Sequence, residues 1–245
     1  MRIAAISDIH GNVLALKAVL ADIERANVDL TVNLGDILSG PLWPAETADF
    51  LIPLDFPTIC GNHERQLLTQ NEDQMSSSDR ITSGLITKRH REWLADLPET
   101  RQLSHDVFLC HGTPDSDLVY FLEDFEGTSV VAANAGIVLN RMGNCKTAMV
   151  LCGHTHIQRY IQLETGQMVV NPGSVGLPAY EDNVPKYHRM ESQSPHARYA
   201  IVSQGSDLSW SVDMRQIRYD WETAAKMAEQ HSRVDWATAL RTGFC

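Results

Sequence analysis

The sequence predicts an α/β protein with one core shared across a single domain, residues 1–245, and three observations carry that expectation. Short apolar runs alternate with amphipathic stretches through the first half, which is the pattern of strand and helix in turn. In the second half the apolar runs come in pairs joined by turn residues, as in antiparallel hairpins. Between them, five segments place oxygen or imidazole donors beside glycine, each just after an apolar run: Asp8-Ile9-His10, Gly35-Asp36, Gly61-Asn62-His63-Glu64, His111-Gly112 and Gly153-His154-Thr155-His156. Donors in such places lie where buried strands end, and open α/β sheets put their chemistry in those loops.

Taken in order, Arg2 to Ser7 reads as a buried strand, and Asn12 to Ala26 as a helix with an apolar stripe at Leu14, Leu16, Val19, Leu20 and Ile23. Leu30 to Leu34 is a second strand, Pro44 to Leu51 a short helix opened by proline, and Pro57 to Cys60 a third strand. These strands are expected to pair in parallel. A helix follows from Asn62 to about Thr69. The polar break Ser76-Ser77-Ser78-Asp79 serves as loop and cap for a helix from Arg80 to about Leu94. Arg101 to Cys110 predicts two short strands about a turn at Ser104 to Asp106, Thr128 to Met142 a helix, and Thr147 to Cys152 a strand. Ile157 to Leu163 with Gln167 to Asn171, and Tyr199 to Val202 with Leu208 to Ile217, predict hairpins. Helices near Asp220 to Gln230 and Val234 to Leu240 close the chain, and Tyr180 to Arg198 reads as a long surface loop.

Composition narrows the function classes. A formal net charge of −11 repels phosphate backbones and anionic lipid over most of the surface, which argues against a nucleic-acid or membrane binder. No apolar stretch approaches the roughly 20 residues of a membrane helix. The five cysteines (Cys60, Cys110, Cys145, Cys152 and Cys245) are odd in number and form no CxxC pair, and Ile3 already belongs to the first apolar run. A reduced, cytoplasmic protein without a signal peptide is therefore expected. Cys60, Cys110 and Cys152 should pack into the core.

The donors suggest a cation site. Asp8 and His10 are two residues apart on an extended chain, so both side chains leave one side and can converge. His154 and His156 repeat that spacing. A carboxylate such as Asp36 can bridge two cations about 3.5–4 Å apart, the separation of two-metal hydrolytic sites. Asn62 adds an amide oxygen and His111 an imidazole. Oxygen and nitrogen donors without thiolate favour manganese, iron, zinc, cobalt or nickel over calcium, with magnesium less suited to so many histidines. A lone Asp-x-His or Gly-Asp is uninformative, so the weight rests on five segments coinciding at strand ends. His90, His105, His188, His196 and His231 lie in polar or helical surroundings and read as solvated.

In that order, Asp8-Ile-His10, Gly35-Asp36, Gly61-Asn62-His63-Glu64, His111 and Gly153-His154-Thr-His156 resemble the calcineurin-like metallophosphoesterase family. Asn171-Pro172-Gly173-Ser174-Val175-Gly176 is similar to a segment of its small bacterial phosphodiesterase and diadenosine tetraphosphatase-like branch. The resemblance implies a four-layer αββα sandwich of two mixed β-sheets flanked by helices, with a dinuclear metal site at strand ends. It implies two divalent ions, manganese foremost and iron, zinc, nickel or cobalt as alternatives. The first would be held by Asp8, His10, Asp36 and His156, the second by Asp36, Asn62, His111 and His154. Two such cations activate a water for in-line attack on phosphorus and clamp the phosphoryl oxygens. His63 is implied to stay off the metals, contact the substrate phosphate and protonate the leaving alkoxide, a task suited to imidazole. Glu64 reads as a residue behind the ligands, and Arg65 as a helix-start or phosphate contact.

In the phosphoprotein phosphatases of that family an aspartate that orients the histidine, and then an arginine, follow the bridging aspartate. Ser39 and Gly40 stand there. The histidine then needs another orienting partner, such as a main-chain carbonyl, and a small-molecule or nucleotide phosphodiester ranks above a phosphoprotein. Dinucleoside polyphosphate hydrolysis is an alternative, with Tyr180, Lys186, Tyr187, His188 and Arg189 available to gate or grip such a ligand. A nuclease is disfavoured by charge, and a non-catalytic scaffold, like the retromer subunit of this fold, by the intact donor set. The family includes monomers and larger assemblies.

Overall fold

A computed structural model describes residues 1–127 and 129–245. The first strand, β1 (Arg2–Ile6), pairs in parallel with β2 (Leu30–Asn33) across helix α1 (Val13–Arg25). Asn12 starts α1 by accepting the Ala15 N–H, and Val13, Leu16, Val19 and Ile23 form its buried stripe. Helix α2 (Pro44–Leu51) has proline in its first turn, and α3 (Asn62–Thr69) spans the expected residues. Pro57 to Cys60 is extended beside β2 but joins it only through a bridge at Thr58.

The helix expected from Arg80 to Leu94 is two helices, α4 (Ser77–Leu85) and α5 (Lys88–Ala95). Ile86 turns extended and buries its side chain, and Thr87 restarts the helix by accepting the His90 N–H. Ser76 begins α4 three residues earlier than expected by capping Asp79. After β3 (Arg101–Gln102) and β4 (Val107–Leu109), β5 (Glu123–Glu126) pairs with β6 (Ser129–Ala132) in a hairpin the sequence did not suggest. The helix expected over Thr128 to Met142 is thereby corrected: Thr128 lies outside the described residues, Ser129 to Ala132 is strand, and α6 (Ala135–Arg141) begins at the Asn134 cap. The β-branched pair Val130-Val131 favours the strand.

Strands β7 (Met149–Leu151), β8 (Gln158–Gln162) and β9 (Met168–Pro172) follow, then β10 (Ala179–Asp182) and β11 (His188–Glu191), β12 (Ala197–Gln204) and β13 (Trp210–Ile217), and helices α7 (Trp221–Gln230) and α8 (Val234–Thr242). The surface loop expected from Tyr180 to Arg198 is instead mostly the β10–β11 hairpin and the start of β12.

Two mixed sheets result, in strand orders β13-β12-β1-β2 and β3-β4-β7-β9-β8. In the first, β12 runs antiparallel to β1; in the second, β4, β7 and β9 are parallel and β8 is antiparallel. Alternation along each strand sorts the core into layers. Ile3, Ala5, Val32 and Leu34 of one sheet meet Val107, Leu109, Met149, Leu151, Met168 and Val170 of the other. The opposite faces turn Ala4, Ile6 and Ile201 to α1, α7 and α8, and Val150 and Val169 to Val138 of α6. This is the four-layer arrangement expected. Cys110 and Cys152 are fully buried in the last of these clusters, whereas Cys60, expected in the core with them, is half-buried and belongs to none of the clusters. Among the described residues no helix is long and apolar enough to cross a membrane.

Candidate metal centre

β1 and β2 run parallel in one sheet and β4 and β7 in the other, and every sequence-predicted donor sits in the loops just beyond their carboxyl ends or at the start of α3. Asp8, His10 and His156 bring one ligand atom each to within 4.8 Å of one another, and Asp36, His111 and His154 form a second such group. His10 Nε2 is 3.1 Å from His156 Nε2, His156 Nε2 is 3.4 Å from Asp8 Oδ1, and His111 Nε2 is 3.1 Å from Asp36 Oδ2. Asp36 falls geometrically in the second group, yet its charge also acts on His10.

Holding so many donors together bends the backbone. Asp8, His10, Asp36, His154 and His156 all have positive φ, between 51° and 71°, a region non-glycine residues rarely occupy. Such strain persists where surrounding contacts over-determine it, and it clusters at functional sites. Here the loops are laced together: Asp8 N–H donates to Gly35 O (3.0 Å), His10 N–H to Asp36 O (3.1 Å) and Gly153 N–H to His111 O (2.7 Å). Glu64, fully buried, accepts the N–H groups of Asp36, Ile37 and Gly61, each at 2.8 Å. Gly61 must be glycine, because a Cβ there would overlap the Asp36 carboxylate.

Each imidazole is oriented by a main-chain carbonyl on its far side. The Nδ1 atoms of His10, His111 and His156 bond Ser39 O, Leu34 O and Leu177 O, each at 2.7 Å, leaving Nε2 to face inward. His154 uses Nε2 on Leu118 O at 3.2 Å, leaving Nδ1. Such partners fix the tautomer a ligand histidine needs. Tyr180 adds support, its ring 4.6 Å from that of His156 and its hydroxyl 3.2 Å from His154 O.

Asn62 Oδ1 is buried without a hydrogen-bond partner among the described residues, and Asp8 Oδ1 and His111 Nε2, also buried, have beside them only the other candidate ligands His156 (3.4 Å) and Asp36 (3.1 Å). Buried polar atoms are almost always satisfied within the fold, so oxygen and nitrogen atoms left to one another in this way fit a shared cation. The donor set of carboxylate, amide oxygen and imidazole fits divalent transition metals.

Burial and the neighbouring His156 hold His10 down at about 3, and burial with His111 holds His154 at about 4, so both are neutral, the ligand form. Burial opposes charge on His111 as well, but Asp36 overrides it and carries the ring up to about 10. Burial alone would raise Asp36; His111 and His63 instead hold it well below the usual carboxylate range. Burial likewise opposes the lowering of Asp8, which His156 brings about.

His63 stands apart from both groups. Its N–H donates to Asp36 Oδ1 (3.0 Å), its ring meets His10 edge-on at 5.5 Å, and its Nδ1 bonds Asp79 Oδ1 at 2.9 Å. The orienting partner is therefore a carboxylate, not the main-chain carbonyl the sequence suggested. Asp79 is fully buried and accepts hydroxyl bonds from Ser39 (2.7 Å) and Ser76 (2.6 Å). Ser39 occupies the chain position where a phosphoprotein phosphatase carries its aspartate, and here it holds an aspartate from another helix. Burial would lower the His63 imidazole, yet Asp36 and Asp79 push it up to about 9. Nothing in the sequence links Asp79 to His63; its one local sign is the Ser-x-x-Asp cap, which speaks only of a helix start.

Other expectations are adjusted. His90 is buried and bonded to Asp49 (3.1 Å), and His188 is buried with Nε2 on Tyr120 Oη (2.8 Å), so neither is solvated. Gly40 leaves no room for an arginine's side chain, since a Cβ there would lie 2.7 Å from the Trp236 ring. Arg65 is paired with Asp117.

Two mixed sheets in a four-layer sandwich, with buried carboxylates and imidazoles converging at strand ends, define a metal-dependent phosphoester hydrolase. The family model for the calcineurin-like phosphoesterase superfamily domain matches residues 1–194, and the chain belongs to that family. A metallophosphoesterase from Sphaerobacter thermophilus is similar in structure, with TM-score 0.72, 24% identity and 98% of each chain covered. So is a hypothetical protein from Pyrococcus horikoshii OT3, with TM-score 0.75, 18% identity, and 99% of this chain and 98% of that one covered. An uncharacterized protein of Methanocaldococcus jannaschii is 24% identical over 259 residues, covering 96% of this chain and 94% of its own.

Proposed function

We propose that the protein, as one domain over residues 1–245, hydrolyses small or nucleotide phosphodiesters with two divalent cations, manganese foremost, in the reducing cytoplasm. Asp8, His10, Asp36 and His156 would hold one ion, and Asp36, Asn62, His111 and His154 the other. The observation that carries this reading is the two groups of buried donors, with Asn62 Oδ1 unpartnered, beside a histidine that is kept off them by its own carboxylate. When bound, the ions supply an activated water and neutralise phosphoryl charge. His63 donates Nδ1–H to Asp79, which leaves Nε2 directed away from that carboxylate and able to give a proton to the leaving oxygen. Main-chain carbonyls hold the four ligand imidazoles in register, and Glu64 locks the loops that carry Asp36 and Asn62.

A diester is favoured over a monoester dianion because position 40, filled against Trp236, cannot carry the arginine that grips a phosphoprotein's phosphate. Asp79 does favour a second reading, monoester hydrolysis, because it restores the oriented histidine that Ser39 seemed to remove. A matrix of manganese, zinc, iron, cobalt and nickel against a model diester, a model monoester, a cyclic nucleotide, diadenosine tetraphosphate and a phosphopeptide tests both. The diester should be turned over fastest, and with manganese. Faster monoester or phosphopeptide turnover would favour the second reading, and inertness across the matrix would refute the first.

A further inference from the structure

Just outside the metal centre, one segment joins three features that the hydrolytic reading leaves unused. Arg65 lies two residues beyond His63 on α3, with its side chain 38% exposed. It forms a two-point pair with Asp117, Nε to Oδ2 at 2.6 Å and Nη2 to Oδ1 at 2.9 Å. The next residue, Leu118, gives its carbonyl to His154, so the pair sits at the rim on the side of Asn62, His111 and His154. Leu118 and Val119 then present apolar side chains to solvent, 52% and 42% exposed.

This segment is held firmly. Thr113 N–H donates to Ser116 O at 2.7 Å, and Tyr120 is buried with its ring 5.0 Å from that of His154 and its hydroxyl on His188. Two adjacent apolar residues exposed on a braced wall beside a catalytic cleft contribute nothing to the core, and a bound apolar group would cover them. A partly exposed arginine–carboxylate pair contributes little to stability. Exchanging Asp117 for a phosphate keeps the two-point geometry of the guanidinium on an acceptor of equal charge.

We propose that Arg65, Leu118 and Val119 form an outer subsite that takes a second phosphate and the base attached to it, with Asp117 holding the guanidinium in place until that phosphate arrives. The preferred substrate is then a nucleotide bearing more than one phosphate, in which the reacting phosphate is linked on one side to that second phosphate and on the other to a further group. This rests on the hydrolase reading above, with the reacting phosphate at the metals and the next one at Arg65.

The test is calorimetric binding of ADP and of inorganic phosphate to manganese-loaded His63→Ala protein, which reads affinity without turnover. In that background Arg65→Met should weaken ADP roughly tenfold while changing phosphate far less, with Arg65→Lys between the two. Asp117→Asn should move ADP affinity the other way, because it frees the guanidinium. Leu118→Ser should weaken ADP only, by about threefold. If the ion pair is purely structural, the Arg65 and Asp117 changes shift ADP affinity in the same direction, and the subsite is refuted. It is equally refuted if ADP binds no tighter than phosphate, or if both ligands weaken by one factor. Thermal melts of all variants separate these results from misfolding, and Arg65→Lys carries the test if Arg65→Met fails to fold. A protein that shows these shifts yet hydrolyses nothing would overturn the hydrolase reading and leave the subsite standing.

Discussion

Asp79→Asn isolates the contribution of the His63 partner. In the wild type the carboxylate is fully buried and accepts three bonds, from His63 Nδ1 at 2.9 Å, Ser39 Oγ at 2.7 Å and Ser76 Oγ at 2.6 Å. Asparagine matches its shape, but it loses the charge and one acceptor, so one of those three donors must turn away or meet an N–H. A hydrogen bond to a charged group is worth about 1.5–3 kcal/mol. If His63 delivers the proton to the leaving oxygen, that loss appears in the barrier as a rate decrease of about 10- to 150-fold. The assay is kcat over a series of phosphodiesters whose leaving groups run from nitrophenolate to simple alkoxide, with metal content measured on the same samples. The loss should fall on the alkoxides, which need the proton, and be only a few-fold for nitrophenolate. An equal loss across the series, or one that follows metal content, would refute the role assigned to the pair. Ser39→Ala, acting only through Asp79, should give the same trend with a smaller amplitude.

Glu64→Gln should lower the melting temperature by several degrees and weaken metal binding about 10- to 100-fold, read by competition with a chelator, because one of the two oxygens that accept three loop N–H groups becomes a donor. An unchanged metal affinity would contradict its bracing role. Asp22 accepts the Tyr199 hydroxyl at 2.6 Å, and that bond, against a smaller opposing effect of burial, holds its carboxyl below the ordinary value. Its folded pKa being depressed, the stability it lends is present above the unfolded carboxylate pKa and is lost as pH falls through the folded one. Asp22→Asn should therefore flatten the acid limb of melting temperature against pH; an acid limb identical to wild type would contradict this.

Much of the frame was legible because buried strands and amphipathic helices carry their periods in the chain. Arg2–Ile6, Val13–Arg25, Pro44–Leu51, Asn62–Thr69 and the β8–β9 hairpin lie where the pattern puts them. The candidate ligands were legible for a related reason: parallel strands bring the donors in the loops after them to one edge of each sheet, Asp8, His10 and Asp36 on one and His111, His154 and His156 on the other, and the stacking of the two sheets joins them. Partners fixed by tertiary packing were not legible. Asp79 lies 16 residues from His63 and reads locally as a helix cap, yet the α4 start sets it against that histidine. His90 and His188 sit among polar neighbours in sequence and are buried by Asp49 and Tyr120 from distant elements. The β10–β11 strands read as loop because Lys186 to Arg198 is rich in polar residues and histidines, while Ala179, His188 and Met190 turn inward one by one.

The central claim is that the two groups of buried oxygen and nitrogen donors at the strand ends hold two metal ions that make the protein a phosphodiesterase. Chelator-stripped protein titrated with manganese, followed at once by calorimetric stoichiometry and hydrolysis of a model phosphodiester, addresses it most directly. The account predicts two ions per chain, activity that rises with the second, and a higher melting temperature as both bind. One ion or none at saturation, or full hydrolysis by the stripped protein, would contradict it.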